Sequence, residues 1–489
     1  MLAVEIALLL TIAPPAVAEV PESPDWPQFQ GGPEHRGTLE GGPEPPYRVR
    51  WSVPAPEGAA LSGAVILGGL AFAVGERAVY AIDLASGDVA WEVPRSGGPL
   101  SMPAVVPGAG DRPELLLYLD GPDADAAGSS PSPTATTSPT ATTSPTASPT
   151  FTGGDEPAPG SELVAIRLGD QRERWRVPLG ATSRTGVTVE GDAAFVGDQA
   201  GTISAVALTD GAVRWAVDAG AMVDQPVAVS EGRVIAIARD IDEATVTVTV
   251  YDAVSGEPLW PAYAPPIGSS AVSVPAAVDG RIVVGFADRF ARALDGAGGE
   301  ELWDSLALNI FSPVTSPALP TGSVVLADLG GGVYRLDAED GGRDWSFQLN
   351  EIVLRSSPVV SGETVLVGLN DGRLVALDAG SGHLVWQSRA TPGLVGTIAL
   401  SLDVVVAVKG GREAGLIAYE HDPGGTLLDE ASPTELEPGL TLGRFGVATA
   451  IVLAVVLVPG VLARRRFGGA LPAGDDVDPD PDETEEEDA

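Results

Sequence analysis

One eleven-residue frame constrains what this chain can fold into more than any other feature. Ala81-Ile-Asp-Leu-Ala-Ser-Gly-Asp-Val-Ala-Trp91 reads as a short apolar strand, a polar turn closed by glycine, and a second strand ending in tryptophan. The pattern returns at 205–215, 250–260, 293–303, 335–345 and 376–386, with a worn copy at 165–175. Aspartate holds the third place (Asp83, Asp252, Asp295, Asp337, Asp378) and glycine the seventh (Gly87, Gly211, Gly256, Gly299, Gly341, Gly382). Tryptophan holds the eleventh (Trp91, Trp175, Trp215, Trp260, Trp303, Trp345, Trp386), and Trp51 stands on one further strand with no hairpin before it. Glycine supplies the positive φ of a tight turn, and an aspartate can bond the turn's backbone groups. Buried tryptophan brings apolar area and one N–H in need of an acceptor. These residues are read as structural first, because consistency at every level favours fold over site.

Around the frame each unit follows one plan. A first strand is introduced by Ser/Pro residues, as in Ser356-Ser-Pro-Val-Val360, and a second ends in a tight turn such as Asn370-Asp-Gly372. The third and fourth strands are the two halves of the frame. Four short strands per unit of about 40–45 residues is the signature of a propeller blade. The tryptophan spacings are 40, 84, 40, 45, 43, 42 and 41, so one interval is double. Inside it, 121–160 holds a Ser/Thr/Pro tract that cannot bury apolar area. Without those 40 residues the interval is an ordinary 44. The tract is therefore expected as a long loop between the second and third strands of one blade, and its composition also suits O-glycosylation.

The count then closes. Eight three-strand sets begin near 61, 100, 184, 224, 271, 312, 356 and 395, and eight tryptophan-bearing strands accompany them. The last set ends with Leu428 in the tryptophan place, so the strand at Trp51 is expected to complete the final blade. That pairing hides an orphan edge. The expectation is an all-β, eight-bladed propeller over 45–431, closed by the N-terminal strand. Residues 19–44, opening with Asp25-Trp-Pro-Gln-Phe-Gln-Gly-Gly-Pro-Glu-His-Arg-Gly37, suit an irregular segment that packs on a pre-formed surface.

The two ends read differently. Residues 1–18 carry an apolar run and Ala16-Val-Ala18, a small-residue cleavage pattern, and are expected to be a signal peptide although Glu5 replaces the usual basic flank. After a linker at 432–444, the 19 uncharged residues 445–463 can span a bilayer. Arg464-Arg-Arg466 follows, which places the tail 464–489 in the cytoplasm and the propeller outside. The tail is acidic and too poor in apolar residues to fold alone.

Charge and composition remove several function classes. The formal net charge is −39, and 19–440 alone holds 56 Asp/Glu against 24 Lys/Arg. Such a field repels nucleic acid and anionic lipid. With no cysteine there is no disulfide, thiolate metal site or lipid-accepting Cys. His35, His383 and His421 fit no zinc spacing. The carboxylates of Asp120-Gly-Pro-Asp-Ala-Asp125 lack the glycine and closing glutamate of a calcium loop. No Gly-x-Ser-x-Gly elbow is present.

The frame Ala-x-Asp-x-x-Ser/Thr-Gly-x-x-x-Trp resembles the tryptophan-docking repeat of the PQQ-like (quinoprotein, BamB-like) propeller superfamily, over about 25–431. The opening around Asp25-Trp-Pro27 looks like the segment that precedes many such propellers. Departures are Arg167, Ala207 and Glu420 at the aspartate place, Gln171 at the glycine place and Leu428 for tryptophan. The resemblance implies one of two roles. The first is a non-catalytic binding or scaffold module with extracytoplasmic protein or glycan partners and no cofactor. The alternative is a membrane-anchored dehydrogenase of alcohols or sugars using PQQ and calcium. The adjacent cysteines typical of the alcohol dehydrogenases are absent, there is no haem domain, and no residue set transfers as calcium ligands or catalytic base.

Overall fold

The computed structural model describes residues 25–56, 60–121, 160–266, 272–305 and 315–428. The expected signal peptide, most of the Ser/Thr/Pro insertion, the linker, the span at 445–463 and the acidic tail lie outside them. Among the described residues no helix is long and apolar enough to cross a membrane.

Eight antiparallel sheets follow one another along the chain as the blades of a propeller. Blade 1 is Val65–Leu67, Leu70–Val74, Ala78–Asp83 and Val89–Pro94, from axis to rim. Blades 2 to 7 follow, with third strands Glu162–Arg167, Thr202–Ala207, Thr245–Asp252, Ala291–Asp295, Gly332–Asp337 and Leu374–Asp378. Middle strands such as Leu115–Asp120 are buried along their whole length because both faces meet a neighbouring blade. Outer strands such as Val213–Asp218 alternate between exposed and half-buried positions. The apolar core is thus divided into seams between blades.

Blade 8 holds Val395–Leu400, Val405–Lys409 and Gly415–His421, and its rim strand is Tyr47–Pro54 from the other end of the domain. Trp51 pairs with Ala418, in the register of Ala81 with Trp91, Ala205 with Trp215 and Ala376 with Trp386. In each of these ladders the register slips by one residue beside the tryptophan. A bulge of that kind bends the strand and re-aims the side chain. The insertion sits where the spacing placed it, between paired strands whose last partners are Asp120 and Glu162.

Two blades depart from the four-strand plan. In blade 4, Pro258 and Pro261 flank Trp260. Proline cannot donate to a ladder, so only isolated bridges (Tyr251 to Pro258, Val248 to Tyr263) stand where a fourth strand was expected. In blade 6 the inner strand lies between Pro317 and Pro320, and only Ala318 bridges to Val325.

Residues 26–39 cross the propeller axis as a strap. The free inner edge of each first strand presents backbone groups toward the axis, and these need partners. The N–H groups of Ile66, Val105, Val229, Ala277, Leu319 and Val360 donate to the carbonyls of Trp26, Pro27, Pro33, Glu34, Arg36 and Gly37 at 2.7–2.8 Å. Val189 donates instead to the side-chain oxygen of Gln28 (2.8 Å), whose amide donates back to the Val189 carbonyl (3.0 Å). The strap therefore meets blades 1 to 7 in chain order. Its 3-10 turn Phe29–Gly31 packs against the inner strand of blade 8, and Thr38–Leu39 adds a parallel strand to blade 7. Within the irregular segment expected at 19–44, residues 26–39 pack on a formed surface, and that surface is the inner rim of the ring.

Candidate functional site at the propeller axis

The frame residues are engaged at the seams. The indole N–H of Trp51 donates to the Leu84 carbonyl of the next blade at 2.8 Å. Trp175, Trp215, Trp260, Trp303 and Trp345 do the same to Leu208, Ala253, Gly296, Ala338 and Ala379 at 3.0–3.2 Å. Each ring lies over the frame glycine of that blade. A Cβ at Gly87, Gly211, Gly256, Gly299, Gly341 or Gly382 would stand 2.6–2.9 Å from the ring above it. All six glycines also have φ between 71° and 80°. The frame thus needs glycine twice, for the turn and for the close approach.

The frame aspartates bond their own turns. Asp83 accepts from the N–H groups of Ala85 and Ser86, and Asp252 from those of Val254 and Ser255. Asp378 accepts from both the N–H and the hydroxyl of Ser381. The Ser86 N–H, the Ser255 N–H and the Ser381 hydroxyl hold these carboxyls below the usual carboxylate range. Their lone pairs serve the fold.

Two seams break the pattern. Between blades 1 and 2, Gln171 replaces the glycine at φ 54°, and its side-chain amide donates to the Leu168 carbonyl at 2.8 Å. Leu168 occupies the frame place whose carbonyl takes an indole N–H elsewhere. Half-buried Trp91 lies instead against Phe72, 5.7 Å away. Between blades 7 and 8, Trp386 packs edge-on between Tyr47 (5.0 Å) and Tyr419 (5.9 Å). Leu428 donates its N–H to Val385 at the rim of blade 7, so it lies outside blade 8, whose rim place Trp51 has taken.

Sequence reading missed a buried network at the stem of the insertion. The Arg95 guanidinium donates to the carbonyls of Gly75, Gly97, Pro99 and Leu119. Asp120, 1 % exposed, accepts from the Ser96 N–H (2.8 Å) and from Arg176 (3.1 Å). Burial pushes the Asp120 carboxyl up, but hydrogen bonds from the Gly121 N–H, Arg176 and the Ser96 N–H hold it below its ordinary value. Asp120 is thus a structural anion; its companions Asp123 and Asp125 lie outside the described residues. The three histidines are not brought together. His421 lies near the Glu44 carbonyl, His383 sits in a turn, and His35 is buried at the axis.

At the axis, His35 is fully buried with Nδ1 3.0 Å from the Pro275 carbonyl. A carbonyl only accepts, so Nδ1 carries the proton, and Nε2 has no partner among the described residues. Burial lowers its pKa to about 4, against the raising effect of that bond. The strap contributes most of the lining of a bowl of about 360 Å³, which includes Trp26, Pro33, Leu39, Leu402 and four charged residues, Asp25, Glu34, Arg36 and Glu40. Three carboxylates against one guanidinium disfavour a quinone that itself carries three carboxylates. Among the described residues no group of three His, Asp or Glu could hold a metal ion. The residues lining this bowl do not fit PQQ with calcium.

Architecture and seams together define an eight-bladed propeller. Residues 159–309 and 309–397 match the family described as outer membrane protein assembly factor BamB. Among solved structures, BamB from Moraxella catarrhalis is 14 % identical with a TM-score of 0.54, over 77 % of this chain and 100 % of that one. A europium-containing methanol dehydrogenase is 12 % identical (TM-score 0.58; 81 % and 91 % covered). Quinohemoprotein alcohol dehydrogenase ADHIIG from Pseudomonas putida HK5 is 13 % identical (TM-score 0.58; 88 % and 86 % covered). At these identities the likeness is one of fold. No curated protein matches the sequence.

Proposed function

We propose that this chain is a non-catalytic binding or scaffold protein that presents its loop-built propeller faces to protein or glycan partners outside the cytoplasm. The observation that carries the reading is the axis, where the chain's own strap bonds the inner edges of seven blades. The repeated Trp and Asp side chains and the frame glycines are likewise committed to seams and turns, which leaves the faces for recognition. The family match to an outer membrane protein assembly factor supports protein partners by analogy of fold. The test is calorimetric titration of the full chain with PQQ and calcium, with a dye-linked assay of alcohol and sugar oxidation on the same sample. No heat and no turnover is the expected result; saturable calcium-dependent binding with turnover overturns the reading.

The proposed placement is a single-pass membrane protein with 1–18 removed, 445–463 spanning and 464–489 inside. It rests on the apolar run and the three arginines that follow it. Because the chain has no cysteine, single replacements report topology cleanly. Val254→Cys, at a position 84 % exposed, should react with an impermeant maleimide on intact cells, and Ala489→Cys should react only after lysis. The reverse pattern contradicts the placement.

A further inference from the structure

We propose that residues 26–39 are an inner clasp that locks the propeller's blades in register. The argument begins with the ring itself. The rim strand Tyr47–Pro54 closes the circle by joining blade 8 alone. It leaves the inner edges of all eight blades facing the axis, where unpaired backbone groups are costly. The strap answers that need with a chain-order series of bonds, all made to the middle residue of an inner strand or its equivalent. These residues pair alike with the second strands, as Ile66 with Ala71, Val105 with Leu116 and Val360 with Val365. One repeating position is therefore read seven times by one segment.

The strap's composition suits that task. Pro27 and Pro33 offer a carbonyl and carry no N–H of their own that would need an acceptor at the axis. Gly37, at φ 65°, turns the chain between Leu319 and Val360, and a Cβ there would stand 3.0 Å from the Gln30 amide. Gln28 and Gln30 are 6 % and 4 % exposed and reach the carbonyl of Val189 in blade 3 and that of Pro358, just ahead of the inner strand of blade 7. A binding groove kept for an outside ligand has no use for such satisfaction. A clasp does, because a bond lost at any blade exposes an edge on the next strand of the ring. The clasp is independent of the absence of catalysis, since an enzyme with its site elsewhere on the propeller would keep it.

Hydrogen exchange on the full chain tests the proposal. The seven inner-strand amides should exchange with the slowest group of sites, about a thousandfold or more below unstructured rates. Exchange of those amides at the rate of an open sheet edge overturns it. Gln28→Ala should speed Val189 about tenfold or more and leave Ala205, on the third strand of the same blade, unchanged. Equal speeding of both, or of neither, counts against the clasp. If that variant does not fold, the unmodified chain still decides through the seven amides and through a second arm. PQQ with calcium should leave their exchange unaltered, whereas binding that accelerates them shows a cofactor displacing the strap and overturns the proposal.

Discussion

The seam between blades 6 and 7 and the seam between blades 1 and 2 solve the same problem in different ways. At the first, Trp345 lies over Gly382 and bonds the Ala379 carbonyl. At the second, Gln171 fills the glycine place and bonds the equivalent Leu168 carbonyl with its own amide. The loss of glycine and the loss of the dock are one event. A Cβ at Gly382 would stand 2.6 Å from the indole, so a turn that carries a side chain cannot accept a ring above it. Conversely, a turn whose ring has moved away has an unpaired carbonyl, and the Gln171 amide supplies the missing donor. What the repeat preserves is the satisfied carbonyl, and the indole is one means to that end.

The largest expected effect separates the two seams. Trp345→Ala should cost about 3–5 kcal/mol, the usual range for a buried tryptophan. Trp91→Ala should cost roughly 1–2 kcal/mol, on the scale of partial burial. Denaturant midpoints of the two full-length variants give the comparison, and equal losses would break it.

Between pH 6.5 and 4 acid should act on neither seam, because an indole on a carbonyl has nothing to titrate and Asp378, in the Gly382 turn, is held below the usual carboxylate range. It should act on the axis. The folded pKa of His35, about 4, lies below the ordinary 6.5. Between those values the unfolded chain binds more protons, so stability rises with pH across the window. His35 should thus withdraw roughly 3 kcal/mol as pH falls from 6.5 to 4, and nothing above that range. His35→Gln should flatten that part of the pH–stability curve, and an unchanged slope would show that the titration lies elsewhere.

Gly382→Ala comes next, at about 2–4 kcal/mol, since the methyl meets both the left-handed backbone and the ring. The smallest effects belong to the other turn. Gln171→Ala should cost about 1 kcal/mol through the lost bond to Leu168. Gln171→Gly should fall within about 1 kcal/mol of zero, because relief of the left-handed strain offsets that loss. A fluorotryptophan resonance at Trp91 that moves toward the docked group in the glycine variant would sharpen the account; a cost of several kcal/mol would count against it.

Much of this architecture was legible in the residues. Spacing alone gave the number of blades, the position of the insertion and the role of the Trp51 strand. The broken strands around Trp260 and Ala318 were masked by the strength of the repeat, although Pro258, Pro261, Pro317 and Pro320 stood in plain sight. The strap's contacts had no side-chain signature to read. They use backbone carbonyls, and their partners lie from 40 residues (Trp26 to Ile66) to 323 residues (Gly37 to Val360) along the chain. Gln171 looked like erosion of the repeat until its amide was seen on Leu168. Asp120 looked like one more turn carboxylate, and only burial beside Arg95 and Arg176 set it apart.

Exchange of the indole N–H protons, resolved by NMR on nitrogen-labelled full chain, tests the central claim most directly. Trp51, Trp175, Trp215, Trp260, Trp303 and Trp345 should form one protected group, and Trp91 should exchange far faster. Protection of Trp91 equal to that of Trp345 would contradict the account, because it would mean that the seam without a glycine holds its tryptophan as the others do.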